Sequence, residues 1–231
     1  MNTDLAKALG ANVQEFYERH GTWFATTRGK VIPEQPFVSS YIQGGMTVVD
    51  VGAGNGRFAK LLPPDVTYIG LEPSETLRDS TSLAKLSPVS SLQPGSLPSL
   101  PLTEAISDVT VCLATLHHIP TRETRRASIE ELIRITKTGG IILATSWLRN
   151  PHNLTTTDIT DAEPGDIWMP WQGLDEKDKG QRYVHFMQPG EWHDLWTHPS
   201  LELIQIGMYG KKDWTDDEQE ALNWRVIAKR R

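Results

Sequence analysis

A glycine-rich turn near residue 50 has the composition of a nucleoside-binding loop. The short β-branched run 48–51 is followed by Gly52, Gly54 and Gly56, with one residue between successive glycines. Glycine lets the backbone pass close beneath a ligand, where a Cβ atom would collide. The spacing differs from the G-x-G-x-x-G that seats a pyrophosphate on a helix N-terminus. It favours a ligand without phosphate, such as adenosylmethionine, and a structural tight turn is the alternative.

A carboxylate follows the next apolar run at the position where such folds bind a ribose. Glu72 ends the run 66–71 and lies 20 residues after Gly52. An acidic side chain there accepts hydrogen bonds from ribose hydroxyls, and its charge repels a 2′-phosphate. The alternative is an ordinary exposed residue at a strand end. The turn and the acid together favour a nucleoside ligand.

Alternating apolar and amphipathic segments predict the sheet that positions these residues. Between residues 47 and 137 the alternation is typical of helices that cover a parallel sheet. We predict a Rossmann-like, doubly wound α/β fold of about seven strands, mostly parallel, with an antiparallel C-terminal strand. Predicted strands cover 46–51, 66–71, 109–116, 141–147, 201–209 and 223–229, with a further short strand near Val89. The longest helical pattern covers 122–137, and a shorter helix covers 191–196.

The chain is predicted to be one domain, residues 1–231, with two additions. Residues 1–42 are mainly helical and form an N-terminal cap before the sheet. Residues 148–190 form an insertion that covers the substrate, and 148–182 show no periodicity. So long an aperiodic stretch inside a compact domain is usually a functional cover or a disordered loop.

Composition narrows the class of protein. The chain has 23 basic and 29 acidic side chains, a net charge of −6, which argues mildly against a stand-alone nucleic-acid binder. Cys112 is the only cysteine, so an internal disulfide and a cysteine-rich zinc site are excluded. No apolar run approaches the ~20 residues of a membrane span, and no secretory signal is recognisable. We expect a cytoplasmic protein without a membrane partner or a bound metal.

These motifs resemble the class I S-adenosylmethionine-dependent methyltransferase family over residues 45–147. The resemblance is carried by residues 50–56 and 70–74, by Asp108 at the start of a strand, and by a helix that runs into Gly139-Gly140. It implies S-adenosyl-L-methionine as cofactor, with Gly52 and Gly54 at its methionine end. The implied cofactor-binding residues are Asp50, Gly52, Ala53, Gly54, Asn55, Glu72, Pro73 and Ala114. Where the family commonly has an Asp that contacts adenine, this chain has Gln93, or the loop is shifted relative to the family.

Three further segments resemble the tRNA methyltransferases that esterify a carboxymethyl group on the wobble uridine. They are residues 23–28, the pair His117-His118, and the tryptophan-rich run 166–171 followed by 181–186. The last is the most diagnostic, because generic methyltransferases lack it. This chain departs from the pattern at Gly29, where an aromatic residue is usual. The resemblance implies tRNA as substrate and a small zinc-binding activator subunit as a possible partner.

The chemistry of that reaction suggests which side chains act on the acceptor. A carboxylate is already anionic at neutral pH, so alignment and removal of water matter more than a strong base. Hydrogen-bond donors that orient one carboxylate oxygen are therefore the candidates for catalysis. They are Arg28, His117, Arg182, Tyr183 and His185.

Structural roles compete with these assignments. His117 could be a satisfied buried histidine, and Arg182 could pair with an acid in the insertion. Trp168 and Trp171 could pack a loop, cover the pocket or stack a base. The basic group Arg122, Arg125 and Arg126 could hold tRNA phosphates or be helix surface.

Two other functions remain open at this point. One is a methyltransferase for a small-molecule carboxylate or phenol, with the same cofactor site and a different cover. The other is a catalytically silent scaffold that binds adenosylmethionine. The presence of Gly52, Gly54 and Glu72 argues against a catalytically inactive protein.

Overall fold

A seven-stranded sheet forms the centre of the protein. The structure, a computed structural model, describes residues 1–27, 35–80, 90–148, 156–171, 180–210, 213–217 and 220–231. The strands of this sheet are β1 (Thr47–Val51), β2 (Thr67–Leu71), β3 (Ser90–Gln93), β4 (Ser107–Leu113), β5 (Thr136–Trp147), β9 (Leu201–Tyr209) and β10 (Asn223–Arg230). The helices are α1 (Thr3–Thr27), α2 (Gln35–Ser39), α3 (Glu75–Asp79), α4 (Arg122–Ile135) and α5 (Pro189–Trp196).

The strand order confirms the predicted fold class. It runs β3-β2-β1-β4-β5-β10-β9, with parallel pairing from β3 to β5 and antiparallel pairing of β10 with both β5 and β9. The order reverses direction between β1 and β4. In open α/β sheets ligands bind at such a switch point, outside the carboxyl ends of the strands. The cofactor site is therefore expected beyond Val51 and Leu113.

Apolar layers cover both faces of the sheet. On one face, α4 buries Ile129, Leu132 and Ile133 in a cluster that also contains Trp192 of α5. Thr121 begins α4, and its hydroxyl accepts a hydrogen bond from the backbone N–H of Thr124 at 3.1 Å. A second cluster, around Phe58 and Tyr68, packs on the other face.

Several predicted bounds change in the structure. The longest described helix is α1, with 25 residues, whereas α4 has 14. β4 ends at Leu113, and residues 116–118 form a 3₁₀ turn instead of continuing the strand. β5 begins at Thr136, directly after α4, so that Gly139 and Gly140 lie within the strand.

The aperiodic insertion contains a second, three-stranded antiparallel sheet. Its strands are β6 (Thr157–Asp158), β7 (Asp166–Trp171) and β8 (Gly180–His185), in the order β6-β7-β8. Alternation is absent from β7 because adjacent residues, such as Asp166 and Ile167, are both buried. The described part of this stretch therefore forms strands, and is not the disordered loop that was one of the two expectations.

Helix α1 is held to both sheets. Asn12 accepts a hydrogen bond from the N–H of Tyr183 at 2.9 Å and donates to the carbonyl of Gln181 at 3.3 Å. Glu18 accepts from the N–H groups of Glu75 and Thr76, at 2.8 and 3.1 Å, at the start of α3. The helix therefore bridges α3 and the insertion across the carboxyl edge of the main sheet. None of the helices described is both long and apolar enough to cross a membrane.

Candidate cofactor and acceptor site

A cavity of about 620 Å³ lies at the carboxyl ends of β1, β2 and β4, beneath α1. This volume falls in the range of roughly 300–1,000 Å³ that small-molecule and cofactor sites occupy. All eight residues predicted to bind the cofactor line the cavity. They are Asp50, Gly52, Ala53, Gly54, Asn55, Glu72, Pro73 and Ala114.

The two glycines of the turn serve different purposes. Gly52 has a φ of 77°, and a Cβ atom there would lie 2.1 Å from Oγ1 of Thr115. Gly54 has a φ of 58°, and a Cβ atom there would meet no atom within 4 Å. Gly52 is thus required by protein packing, a reason that the sequence did not suggest. The space beside Gly54 is the cradle that close approach of a ligand needs.

Glu72 is buried and fixed by the backbone. Its carboxylate accepts hydrogen bonds from the N–H groups of Gly54 and Ser74, each at 2.9 Å. Burial raises the pKa of Glu72, and these two bonds oppose the shift. A carboxylate offers about four lone-pair sites. Each oxygen therefore keeps acceptor capacity for the hydroxyls of a ribose.

Asp50 is the second acid at this end of the cavity. The hydroxyl of Tyr68 donates to its Oδ2 at 2.8 Å. Burial raises the pKa of Asp50 to about 7, Tyr68 opposes the shift, and the charge of Glu72 adds to it. Its charge near neutral pH therefore depends on what binds beside it.

Gln93 does not line the cavity. It pairs with Leu71 in the sheet, and its carbonyl accepts the N–H of Glu72 at 3.1 Å. The segment that follows, 94–97, supplies the wall instead. The structure therefore offers residues 94–97, and not Gln93, at the end of the cavity beyond Glu72.

The part of the cavity lined by Tyr17, Phe24, His118 and Trp147 is the candidate acceptor end. There Tyr17 of α1 joins two side chains that come from elsewhere in the chain. Its hydroxyl lies 3.0 Å from Nε2 of His118 and accepts a hydrogen bond from a terminal nitrogen of Arg182 at 2.9 Å. Nδ1 of His118 lies 3.1 Å from the carbonyl of Tyr183. Because a carbonyl only accepts, Nδ1 carries the proton and Nε2 accepts from Tyr17. Burial, together with the charge of Arg182, lowers the pKa of His118 to about 3.

Arg182 is a buried cation surrounded by aromatic rings. Its side chain is almost fully enclosed, since the residue is 4% exposed. The guanidinium carbon lies 4.8 to 5.9 Å from five ring centroids, those of Phe16, Tyr17, Phe24, Trp147 and Trp171. Within the described ranges no carboxylate pairs with it, so the predicted alternative of an acid in the insertion is not found there. Such a cation attracts an anion into the neighbouring cavity.

Three other predicted catalytic residues lie away from the cavity wall. His117 is buried and stacks on Trp147, with ring centroids 4.4 Å apart. The side chains of Tyr183 and His185 turn to the opposite side of β8, where both bind Asp166. Arg28 lies outside the described residues.

The sequence reasoning missed Tyr17, Thr115 and Trp147. A signal for Tyr17 was present, because Tyr17 and Phe24 are seven residues apart and share one face of α1. Both line the cavity. Trp147 ends β5, at the sheet edge where ligands bind.

Three of the remaining candidates for tRNA contact, Trp171, Arg122 and Arg125, are engaged in packing or ion pairs. Trp171 contacts Trp23 and Phe16 edge-on, with ring centroids at 4.8 and 5.2 Å. Arg125 is buried against two carboxylates, and Arg122 pairs with Asp194 at 2.9 Å. Arg125 is therefore not available to hold tRNA phosphates. The described residues contain no cluster of three or more metal-ligating side chains.

Comparison with known proteins identifies the class. Residues 49–144 match the family model described as "Methyltransferase domain". The crystal structure of the CcbJ methyltransferase from Streptomyces caelestis superposes with a TM-score of 0.72 at 15% identity, covering 93% of this chain and 97% of that one. At this identity the likeness shows the fold alone. The chain therefore contains a methyltransferase domain over residues 49–144, and its fold is one that methyltransferases have.

Two relatives carry a more specific name, tRNA (carboxymethyluridine(34)-5-O)-methyltransferase. The one from Arabidopsis thaliana is 30% identical over 135 residues, which are 58% of this chain and 32% of the relative. The one from Schizosaccharomyces pombe is 25% identical over 221 residues, covering 87% of this chain and 93% of the relative. This chain therefore spans about a third of the length of the plant protein and matches nearly all of the yeast protein.

Proposed function

We propose that this methyltransferase uses S-adenosylmethionine to esterify the carboxymethyl group of a modified wobble uridine in tRNA. The observation that carries the proposal is the buried Arg182, which is bound to Tyr17 at the acceptor end of the cavity. A cation in that place suits an anionic acceptor. The names of the two relatives supply the tRNA part of the proposal.

The cavity residues fit the cofactor. Gly54 leaves open space for close approach, and Glu72 presents acceptor oxygens to a ribose. When bound, S-adenosylmethionine supplies an electrophilic methyl group on a sulfonium. Asp50, Gly52, Ala53, Asn55, Pro73 and Ala114 would complete its binding site. Residues 94–97 would enclose the adenine.

The acceptor end favours a carboxylate over a phenol or an alcohol. Among the described residues that line this end, His118 is the side chain of the kind that usually serves as a base. Both of its ring nitrogens are occupied, by Tyr17 and by the carbonyl of Tyr183. A nucleophile that is already ionised at neutral pH needs no such base. This separates the proposal from a methyltransferase for phenols.

Arg182 acts on the acceptor as a positioning residue. It does not line the cavity, but its bond to Tyr17 fixes a hydroxyl that does. Its Nε has no hydrogen-bond partner among the described residues. The guanidinium thus keeps the site positive and holds Tyr17, without a bidentate grip that would weaken the carboxylate as a nucleophile.

The partners and the organisation are part of the same proposal. We infer one domain over residues 1–231, in which the cap 1–42 lines the acceptor end of the cavity and the insertion 148–190 supports it through Arg182. Since Arg125 is committed to Glu163 and Glu191, a small zinc-binding activator subunit would add basic surface for tRNA. The location that suits this function is the cytoplasm.

The test is methylation of tRNA whose wobble uridine carries a free carboxymethyl group. Purified protein is incubated with labelled S-adenosylmethionine, with and without a candidate activator. Arg182→Ala is expected to abolish ester formation while cofactor affinity stays within about twofold, since the cofactor residues lie at the other end. Arg231→Ala, at an exposed arginine, is the matched control. Methylation of free acids without methylation of tRNA would favour a small-molecule enzyme. Cofactor binding without any methylated product would favour a scaffold.

A further inference from the structure

A buried ion network fastens the insertion sheet to the main domain. Arg125 of α4 lies 2.6 Å from Glu163 in the insertion and 2.7 Å from Glu191 of α5. Glu191 also contacts Nε2 of His185 at 2.8 Å, and Nδ1 of His185 contacts Asp166 of β7 at 2.7 Å. The side chains of Arg125, Asp166 and His185 are at most 1% exposed.

His185 is an imidazolium in this network. Each ring nitrogen faces a carboxylate oxygen, and ionised carboxylates only accept hydrogen bonds. Both nitrogens must therefore donate, which requires the charged ring. Burial opposes that charge, but the bonds to Asp166 and Glu191 raise the pKa of His185 above its ordinary value.

The groups that face His185 come from every element packed around it. Tyr183 of β8 donates to the same Oδ1 of Asp166 at 2.7 Å, and the N–H of Glu163 donates to Oδ2 at 2.9 Å. With His185 charged, the two cations Arg125 and His185 face three carboxylates. With His185 neutral, Arg125 alone faces three carboxylates, and either Asp166 or Glu191 loses its hydrogen bond from His185. Buried carboxylates in that state repel one another and draw in water.

Strand β8 connects this network to the acceptor end of the cavity. Arg182 and the carbonyl of Tyr183 belong to β8, and they hold Tyr17 and His118. The side chains of Tyr183 and His185, on the other side of the strand, fix it against Asp166. Arg125 also donates to the carbonyl of Ile119, a residue of the cavity wall. A shift of the network is therefore transmitted to the groups that hold the acceptor.

We propose that His185 is a positioning residue. As an imidazolium between Asp166 and Glu191 it fixes the position of β8, and therefore that of Arg182. Acceptor binding is lost when this ring gives up its proton. Tyr183 and His185 thereby act on the acceptor through the strand, and not by contact as the sequence suggested. The inference deepens the proposed function and depends on it for the identity of the acceptor.

The first test follows two histidine rings in one NMR titration of the full chain. Histidine is labelled with ¹³C in the ring, and the signals of His185 and His118 are assigned with His185→Gln and His118→Gln. Because the bonds to Asp166 and Glu191 raise its pKa, His185 is expected to keep its charge to a higher pH than an ordinary histidine does. The His118 signal is expected to move with the same midpoint, because its Nδ1 is bound to β8.

Glu191→Gln sharpens the test by removing one of the two carboxylates that bind the ring of His185. Glu191 accepts from Arg125 through Oε1 and from His185 through Oε2, whereas Gln has one acceptor oxygen. The variant therefore loses one negative charge and one of the two hydrogen bonds, and the midpoint should fall by about one pH unit or more. At pH values above that midpoint, the KM for the carboxymethylated tRNA should be at least about tenfold higher than below it, while cofactor affinity changes by less than about twofold. His193→Gln, at an exposed histidine of the same helix, controls for the substitution.

The outcomes separate the two proposals. A His185 ring that is neutral at pH 7, or a His118 signal that ignores its titration, would overturn the inference whether or not the chain is active. So would an unchanged midpoint in Glu191→Gln. An absence of ester product from wild-type protein at every pH would instead overturn the proposed function, since the ring titrations need no substrate.

Discussion

The hydroxyl of Tyr17 lies 3.0 Å from Nε2 of His118, a residue 101 positions further along the chain. The bond joins the first helix to the turn that follows β4. Tyr17 is the donor in this hydrogen bond, because the other ring nitrogen of His118, Nδ1, carries the proton and donates to the carbonyl of Tyr183. The N-terminal helix, the main sheet and the insertion therefore meet at one imidazole.

Removal of the Tyr17 hydroxyl tests the acceptor end. Tyr17→Phe keeps the ring in contact with Phe16 and Phe24 but removes one hydrogen bond from Arg182 and one from His118. Unsatisfied buried groups cost about 1–3 kcal/mol. We expect kcat/KM for the tRNA acceptor to fall roughly 10- to 100-fold, with cofactor affinity nearly unchanged. Tyr41→Phe, in the core cluster on the other face, is the matched control, and an equal loss there would refute a specific role.

Replacement of Glu72 tests the ribose contact. Glu72→Gln removes the charge and leaves either Gly54 or Ser74 without its present acceptor, because the amide nitrogen cannot accept. Isothermal titration with S-adenosylmethionine should show affinity reduced about 10- to 100-fold, as expected for hydrogen bonds to a charged group. Glu75→Gln, an exposed neighbour, should bind as the wild type does. Unchanged affinity in Glu72→Gln would mean that the ribose lies elsewhere.

The two glycines of the turn should respond differently to alanine. Both have positive φ, so each substitution costs about 1 kcal/mol of backbone strain. Gly52→Ala adds a collision with Thr115, which should lower the thermal midpoint further than Gly54→Ala does. Gly54→Ala should instead weaken cofactor binding in a protein that remains folded. Calorimetric melting and cofactor titration of both variants decide the matter, and equal melting losses would contradict this division of roles.

The neutral state of His118 predicts a stability slope in acid. In the unfolded chain a histidine protonates near pH 6.5, whereas the pKa of the folded His118 is about 3. Between these values the unfolded state binds one more proton, so folding stability falls as the pH drops through this window. The contribution to the slope is about 1.4 kcal/mol per pH unit.

Urea unfolding of wild type and His118→Gln between pH 4 and 6 measures this slope. The variant should lose less stability per pH unit, by about the amount that one proton supplies. His193→Gln serves as the control for a histidine replacement on the surface. Parallel slopes for wild type and His118→Gln would show that the buried ring already takes up a proton in the folded state.

The cofactor end could be predicted from the sequence because its signals are local. Gly52, Gly54 and Glu72 follow two β-branched runs directly, and parallel strands bring their carboxyl ends to one edge. The closing strands β9 and β10 also stand out, since they are apolar runs separated by a polar loop. The type of each of these elements follows from a few neighbouring residues.

The acceptor end could not be predicted, because its geometry is tertiary. Tyr183 and His185 carry donors and suggested contact with a substrate. Their partners Asp166 and Glu191 come from other elements and turn both side chains away from the cavity. The length of α1 was equally hidden. Gly21 weakens helix propensity in the C-terminal part of α1, where it packs closely, since a Cβ atom there would lie 3.1 Å from Thr76.

The contacts between helix α1 and strand β8 can form only late in translation. Its bonds to β8 join residues 165 to 171 positions apart, so the helix leaves the ribosome long before the strand that it contacts exists. The central sheet can begin to form in the interval, whereas the aromatic face of α1 around Phe16 stays without its native neighbour Trp171. The nascent chain can thus hold most of a cofactor crevice well before it has a wall for the acceptor.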